Sequence, residues 1–225
     1  MGPLEKLFSL FSLVLFVALF SSTIDVASAS AEEANVSPCN WFGVSFNLDG
    51  SVIRLNLTSS SVNGNIPPEI CLLTNLETLH LFDNQLNGSI PQKIGQLKSL
   101  IELVLYTNSL SGPIPTSLAN LRNLTRLYLY RNNLSGSIPP EMGDLVNLVE
   151  LYTNGNNLTG LIPSTLGNLN NLTVLHLFNN SLSGSMPQEI GQLKSLQSLT
   201  FQTNNLTGSI PTSLGDLSSL ARLYL

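Results

Sequence analysis

LHLFDNQLNGSIPQKIGQLKSLIE, residues Leu79 to Glu102, is one turn of a pattern that runs through most of the chain. Its opening leucine returns without insertion or deletion at Leu55, Leu103, Leu127, Leu151, Leu175, Leu199 and Leu223, a strict 24-residue period. A fixed period of this length predicts a solenoid. One unit cannot bury its apolar face alone and must stack on its neighbours, so the expected architecture is a single quasi-linear array with function displayed along a repeated surface.

Each column of the repeat has its own physical task. Apolar residues at the first and third positions, such as Leu79/Leu81, Leu103/Leu105 and Leu127/Leu129, have the period of a short half-buried strand. Stacking such strands one per coil gives a parallel sheet. Five residues after the opening leucine stands Asn84, Asn108, Asn132, Asn156, Asn180 or Asn204. A side-chain amide both donates and accepts, so a column of asparagines suits the bridging of buried backbone between coils. Glycine at 64, 88, 112, 136, 160, 184 and 208 suits a bend with positive φ. Proline three residues later lacks an amide donor and must run along the side of the coil, away from the middle of a sheet. The tail of the repeat predicts one or two helical turns on the outer face, with Leu97/Leu100 and Leu121/Leu124 turned inward. Ser60 departs from the asparagine column, and Thr153 takes the place of a core leucine with a hydroxyl that needs a partner.

The first thirty residues are different. Lys6 precedes the apolar run Leu7 to Phe20, and small residues at Ala27 and Ala29 follow, which reads as a secretory signal peptide over 1–29 cleaved after Ala29 or Ala31. The apolar run is shorter than the roughly 20 residues that span a bilayer, and no second run of spanning length follows it. With 10 % charged residues and a net charge of −5, the chain is not a basic nucleic-acid binder. The C-terminal ARLYL stops inside the strand of an eighth repeat, so the sequence reads as a fragment of a longer solenoid.

The motif N-x-L-x-G-x-I-P-x-x-L-G-x-L, written at Asn132 to Leu145 as NNLSGSIPPEMGDL, resembles the plant-specific class of leucine-rich repeats and covers Arg54 to Leu225. The resemblance implies a leucine-rich-repeat superhelix of α/β solenoid class. Its parallel sheet lies on the concave face, and short 3-10 or α turns lie on the convex face. Residues 30–53 would form a partial N-terminal cap: CNWFGVSF, Cys39 to Phe46, resembles the cap of plant receptor-like proteins and receptor-like kinases, with Phe46 where a second cysteine usually stands. The implied cap is a weakened one.

Cys39 and Cys71 either pair, as secreted cysteines do, or leave Cys71 as a small buried residue in the column of Gly95, Gly143 and Gly167. Nine N-x-S/T sequons stand at Asn35, Asn56, Asn87, Asn123, Asn133, Asn157, Asn171, Asn179 and Asn205, none of them in the asparagine column, and are expected to carry glycans. No phosphate loop, zinc-protease motif, nucleophile elbow or kinase signature is written in the sequence, and no cofactor or metal is expected. His80 and His176 lie four rungs apart, about 19 Å at the usual strand spacing, too far to share a metal.

The candidate ligand-binding residues lie between the core leucines. One outward column reads Asn56, His80, Val104, Tyr128, Tyr152, His176, Thr200, Tyr224, and its neighbour Thr58, Phe82, Tyr106, Tyr130, Asn154, Phe178, Gln202. They place Phe82, Tyr106, Tyr128, Tyr130 and Tyr152 together, beside His80, Asp83 and Arg131. Aromatics with polar tips and arginine are what interface centres favour, although tyrosines also line sheets for packing alone. A third column alternates Glu102, Arg126 and Glu150 and is expected to be a mutual charge ladder. Expected sugars at Asn56 and Asn179 leave the strands from Leu79 to Leu151 clear. The resemblance implies a non-catalytic ectodomain with an extracellular peptide or protein ligand and a co-receptor ectodomain as partners. A soluble polygalacturonase-inhibitor-like protein and a non-functional receptor remnant are the alternatives. The R-x-R pattern of some peptide receptors is not present, because Arg126 and Arg131 flank Leu-Tyr-Leu-Tyr.

Overall fold

The computed structural model describes residues 43–225, and the expected signal peptide, Asn35 and Cys39 lie outside the described residues. Strands β1 (Val44–Phe46), β2 (Val52–Asn56), β4 (Thr78–His80), β6 (Glu102–Val104), β8 (Arg126–Tyr128), β10 (Glu150–Tyr152), β12 (Val174–His176), β14 (Ser198–Thr200) and β16 (Arg222–Tyr224) form one nine-stranded sheet in that order. From β2 onward every pairing is parallel and the opening leucines face each other, as in Leu127 against Leu151 and Leu151 against Leu175. Only β1 runs antiparallel, closing the N-terminal edge of the sheet within the expected cap.

Each coil buries the same side chains. Leu79, Leu103, Leu127, Leu151, Leu175 and Leu199 are fully buried, as are the inward leucines of the outer turns, Leu97/Leu100 through Leu193/Leu196. Those outer turns are five-residue 3-10 helices, for example Gln92–Gln96 and Pro140–Asp144, each entered from the repeat's proline. Leu223, on β16, is 44 % exposed.

The asparagine column is a continuous hydrogen-bond ladder. Asn132 Oδ1 accepts the Leu110 N–H of the preceding coil at 3.0 Å, while its Nδ2 donates to Leu105 O at 3.0 Å and to Leu129 O at 3.1 Å. Where the strand ends, the backbone has no sheet partner, and the amide supplies one in each coil. The Ser60 hydroxyl in this column donates only locally, to Thr58 O, and the ladder begins with Asn84, which accepts from Ser60 N and Val62 N.

Two features go beyond the sequence reading. Beside the ladder runs a second parallel sheet in two parts. β3 (Asn63–Asn65) pairs with β5 (Gln85–Asn87), while β7 (Ser111–Pro113), β9 (Asn133–Ser137), β11 (Asn157–Leu161), β13 (Ser181–Gly184) and β15 (Asn205–Leu206) pair in series. The repeat prolines lie just past these strands, as proline chemistry requires. Pro113, which has no N–H to offer the preceding coil, sits on the edge strand where the two parts separate. The second feature is a column in the left-handed region: Ser59, Asp83, Thr107, Arg131, Asn179 and Thr203 have φ of 51–57°, and Gly155 completes it at 65°.

Thr153 does not find its partner. Its hydroxyl is buried inside the leucine stack, whose aliphatic walls offer no acceptor, and it has no hydrogen bond. Cys71 is a free, fully buried thiol, and burial pushes its pKa up to about 11. Native protein treated with iodoacetamide at neutral pH is therefore expected to leave Cys71 unmodified until denaturant is added, which peptide mass spectrometry checks directly.

The concave aromatic face

Two aromatic rows cross the long sheet. Phe82, Tyr106 and Tyr130 form a stack with ring centroids 4.3 Å apart at each step and planes within 17° and 9°. The rings stand closer than the ~4.8 Å between strands, as side chains converging from a concave surface must. In the other row Tyr128, Tyr152 and His176 meet edge to face, with centroids 4.9 and 4.7 Å apart. Stacked rings cover each other's faces, so the Phe82–Tyr106–Tyr130 row offers ring edges and phenol tips to a partner. Burial, with Tyr106 next to it, pushes Tyr130 up to about 12. Burial and then the Glu150 carboxylate push Tyr128 higher still, so these phenols remain neutral donors.

The charge ladder forms as expected. Arg126 pairs with Glu102 and reaches Glu150 at 4.0 Å, His80 Nε2 lies 2.9 Å from Glu102, and the Tyr128 hydroxyl donates to Glu150. Burial alone would raise the Glu102 carboxyl, but hydrogen bonds from His80 and Arg126 outweigh it and hold the group below its usual range. A depressed carboxylate stabilises the fold above its unfolded value of 4.5 and loses that contribution as pH falls through the folded value. The melting-temperature gap between wild type and Glu102→Gln is thus expected to be widest near neutral pH and to close on acidification below about 4.5, read from melts across a pH series.

Of the residues singled out in the sequence, Phe82, Tyr106, Tyr128, Tyr130 and Tyr152 converge on one surface. His80 joins its margin, 6.2 Å from Phe82, but its ring nitrogen is already engaged by Glu102. Asp83 and Arg131 stand exposed at the strand ends in the left-handed column, where Asp83 accepts from Ser59 Oγ at 2.7 Å. The structure adds His176 and Phe178, whose rings continue the aromatic surface past Tyr152. Their columns already contained them, outside the stretch from Leu79 to Leu151 that the expected glycan at Asn179 delimits. Several outward positions, Val104, Asn154 and Thr200 among them, are less than a tenth exposed because taller neighbours overhang them. Asn87, Asn123, Asn133, Asn157, Asn171, Asn179 and Asn205 are exposed, and Asn56 is half-buried, its Oδ1 occupied by Thr58. Among the described residues no group of three or more His, Cys, Asp or Glu is placed to hold a metal, and no helix is long and apolar enough to cross a membrane.

A parallel solenoid with a polar ladder under a variable concave sheet defines a repeat scaffold of the leucine-rich type. Leucine rich repeat models match residues 75–97, 99–121, 123–145 and 146–206. The chain belongs to the leucine-rich-repeat family, and its fold is that of plant receptor ectodomains. It is similar to Leucine-rich repeat protein 1 of Arabidopsis thaliana, 40 % identical over 47 residues that make up 21 % of this chain and 22 % of that protein. It also resembles the ectodomain of the Arabidopsis receptor kinase HAESA, solved with a peptide hormone ligand. Identity there is 37 %, the TM-score is 0.84, and the match covers 98 % of this chain and 37 % of that one. A chain of the BIR3–SERK2 complex from Arabidopsis thaliana matches at 30 % identity and TM-score 0.58, over 92 % of this chain and 97 % of its own length. The chain thus spans well under half of the first two relatives and nearly all of the third.

Proposed function

We propose that this protein is a non-catalytic extracellular recognition module that binds a peptide or protein ligand on the concave sheet, with a co-receptor ectodomain as a second partner. The observation that carries the reading is the aromatic surface running from Phe82 to Phe178, half-buried yet open, with phenol tips and the exposed charges Asp83 and Arg131 along its margin. The scaffold needs leucines and asparagines, not these rings. Exposed aromatic surfaces of this kind usually mark contacts. HAESA, solved with a peptide hormone and the co-receptor SERK1, lends the reading support from a relative of the same fold. Secretion through the 1–29 leader and glycans on the exposed sequons belong to the same proposal.

Differential capture tests it. Immobilised wild type and Tyr106→Ala/Tyr130→Ala are exposed to the same plant cell-wall peptide extract. Peptides retained by wild type and absent from the variant support the reading, and identical retention profiles sink it.

A further inference from the structure

The stack Phe82–Tyr106–Tyr130 lacks its next member. The same column places Asn154 on the following strand and returns to an aromatic only at Phe178. Tyr130, Asn154 and Phe178, together with Tyr128, Tyr152 and His176, line one open depression of ≈ 440 Å³. Asn154 lies in it only 7 % exposed, and its Oδ1 is buried without any hydrogen-bond donor. The adjacent residue is Gly155, where six other coils place a side-chain-bearing residue in the same left-handed conformation. A Cβ on Gly155 would meet nothing nearer than 3.6 Å, so packing does not demand the glycine. One coil has therefore given up both the ring and the flanking side chain, leaving a slot that is walled at both ends and open at one flank, with the unmet Asn154 Oδ1 closed off beneath its floor until the overhanging rings part.

We infer that this missing rung is a binding slot for an aromatic side chain of the partner, one carrying a ring-borne donor such as the tryptophan indole N–H, which bonds Asn154 Oδ1. The inference rests on the ligand-binding reading above. Two strand spacings put roughly 9–10 Å between the Tyr130 and Phe178 positions, and aromatic pairs prefer centroids about 4.5–7 Å apart. One planar ring fits between them and completes the stack; two do not. A guanidinium is also flat and donor-rich, but among the described residues no carboxylate lines the depression to meet its charge. A sugar ring buries several hydroxyls, whereas the floor holds a single unmet acceptor.

The test uses the full chain and N-acetyl-L-tryptophanamide as probe, followed by saturation-transfer NMR. Wild type is expected to bind it with a millimolar Kd and to bind the 1-methylindole analogue two- to about tenfold more weakly, the worth of one hydrogen bond. Asn154→Tyr, which installs the residue carried by the two preceding rungs, is expected to lose at least about tenfold in affinity with no fall in melting temperature. Asn154→Ala keeps the gap and is expected to bind both probes alike. No binding by wild type up to the probe's solubility limit, undiminished binding by Asn154→Tyr, or preference for methyl glucoside over the indole would each overturn the slot. If the probe fails while differential capture still depends on Tyr106 and Tyr130, the slot falls and the recognition reading stands. If the probe binds and capture shows no difference, the reverse holds.

Discussion

Asn132→Ala is expected to lower the stability of the solenoid by about 2–4 kcal/mol. It removes the only side chain that meets the Leu110 N–H, while the Leu105 and Leu129 carbonyls each lose one of two amide donors and keep the other, from Asn108 and Asn156 respectively. Asn132 is itself 7 % exposed, so water does not replace those bonds freely. A buried polar group left unpaired costs about 1–3 kcal/mol, which applies to the Leu110 N–H, and each carbonyl that drops from two bonds to one adds a smaller loss of about 0.5 kcal/mol. For a chain of this size each kcal/mol moves the melting temperature by about 2–4 °C, so a fall of roughly 5–15 °C is expected in a thermal melt of bacterially produced protein. Asn133→Ala, one residue away and exposed, should stay within about 0.5 kcal/mol of wild type. Asn132→Asp sharpens the test because it keeps the acceptor but turns a second oxygen toward the two carbonyls. Its carboxyl is raised in the fold, so its deficit should shrink as pH falls and the group becomes able to donate. A loss under about 1 kcal/mol for Asn132→Ala would show that the ladder is dispensable at this coil.

The ladder was legible in the sequence because its constraint acts on side-chain chemistry: only an amide bonds three backbone groups of the two coils it joins, so Asn84 through Asn204 repeat visibly. The left-handed column was not legible, because there the constraint acts on the backbone alone. Asp83, Thr107, Arg131 and Gly155 share a φ of 53–65° and no side-chain property. The side sheet was hidden for a related reason. Segments such as Asn157–Leu161 are rich in glycine and hydroxyl residues and read as turn, yet they pair as strands because each coil's backbone lies in register on the next. For the candidate site, the columns correctly named which rings would be neighbours. They left open whether Phe82, Tyr106 and Tyr130 would stack while Tyr128, Tyr152 and His176 met edge to face. They also left open that a short Asn154 between taller neighbours would be buried rather than displayed. Burial of this kind depends on the heights of adjacent rungs, not on a residue's own column.

Tyr106→Ala with Tyr130→Ala is expected to abolish ligand retention on the concave face, but the stacked geometry means that this loss alone does not separate recognition from packing. Tyr106 is sandwiched between Phe82 and Tyr130 at 4.3 Å on either side, so the double truncation removes both stacking contacts, each worth about 0.5–1.5 kcal/mol beyond the area it covers. A fall of several degrees in melting temperature is therefore expected along with the lost binding. Tyr106→Phe with Tyr130→Phe separates the two effects. Both rings and both stacking contacts persist, and only the phenol tips disappear, the part of each ring that the stack leaves uncovered. If the face recognises a ligand, the double phenylalanine variant should melt close to wild type and still lose about tenfold or more in affinity for a peptide isolated by differential capture, since each hydroxyl bond contributes about 1 kcal/mol. Calorimetric titration of both variants with that peptide reads the outcome. Undiminished affinity in the phenylalanine variant, together with a binding loss in the alanine variant that tracks its loss of folded protein, would reduce the aromatic row to packing across the sheet.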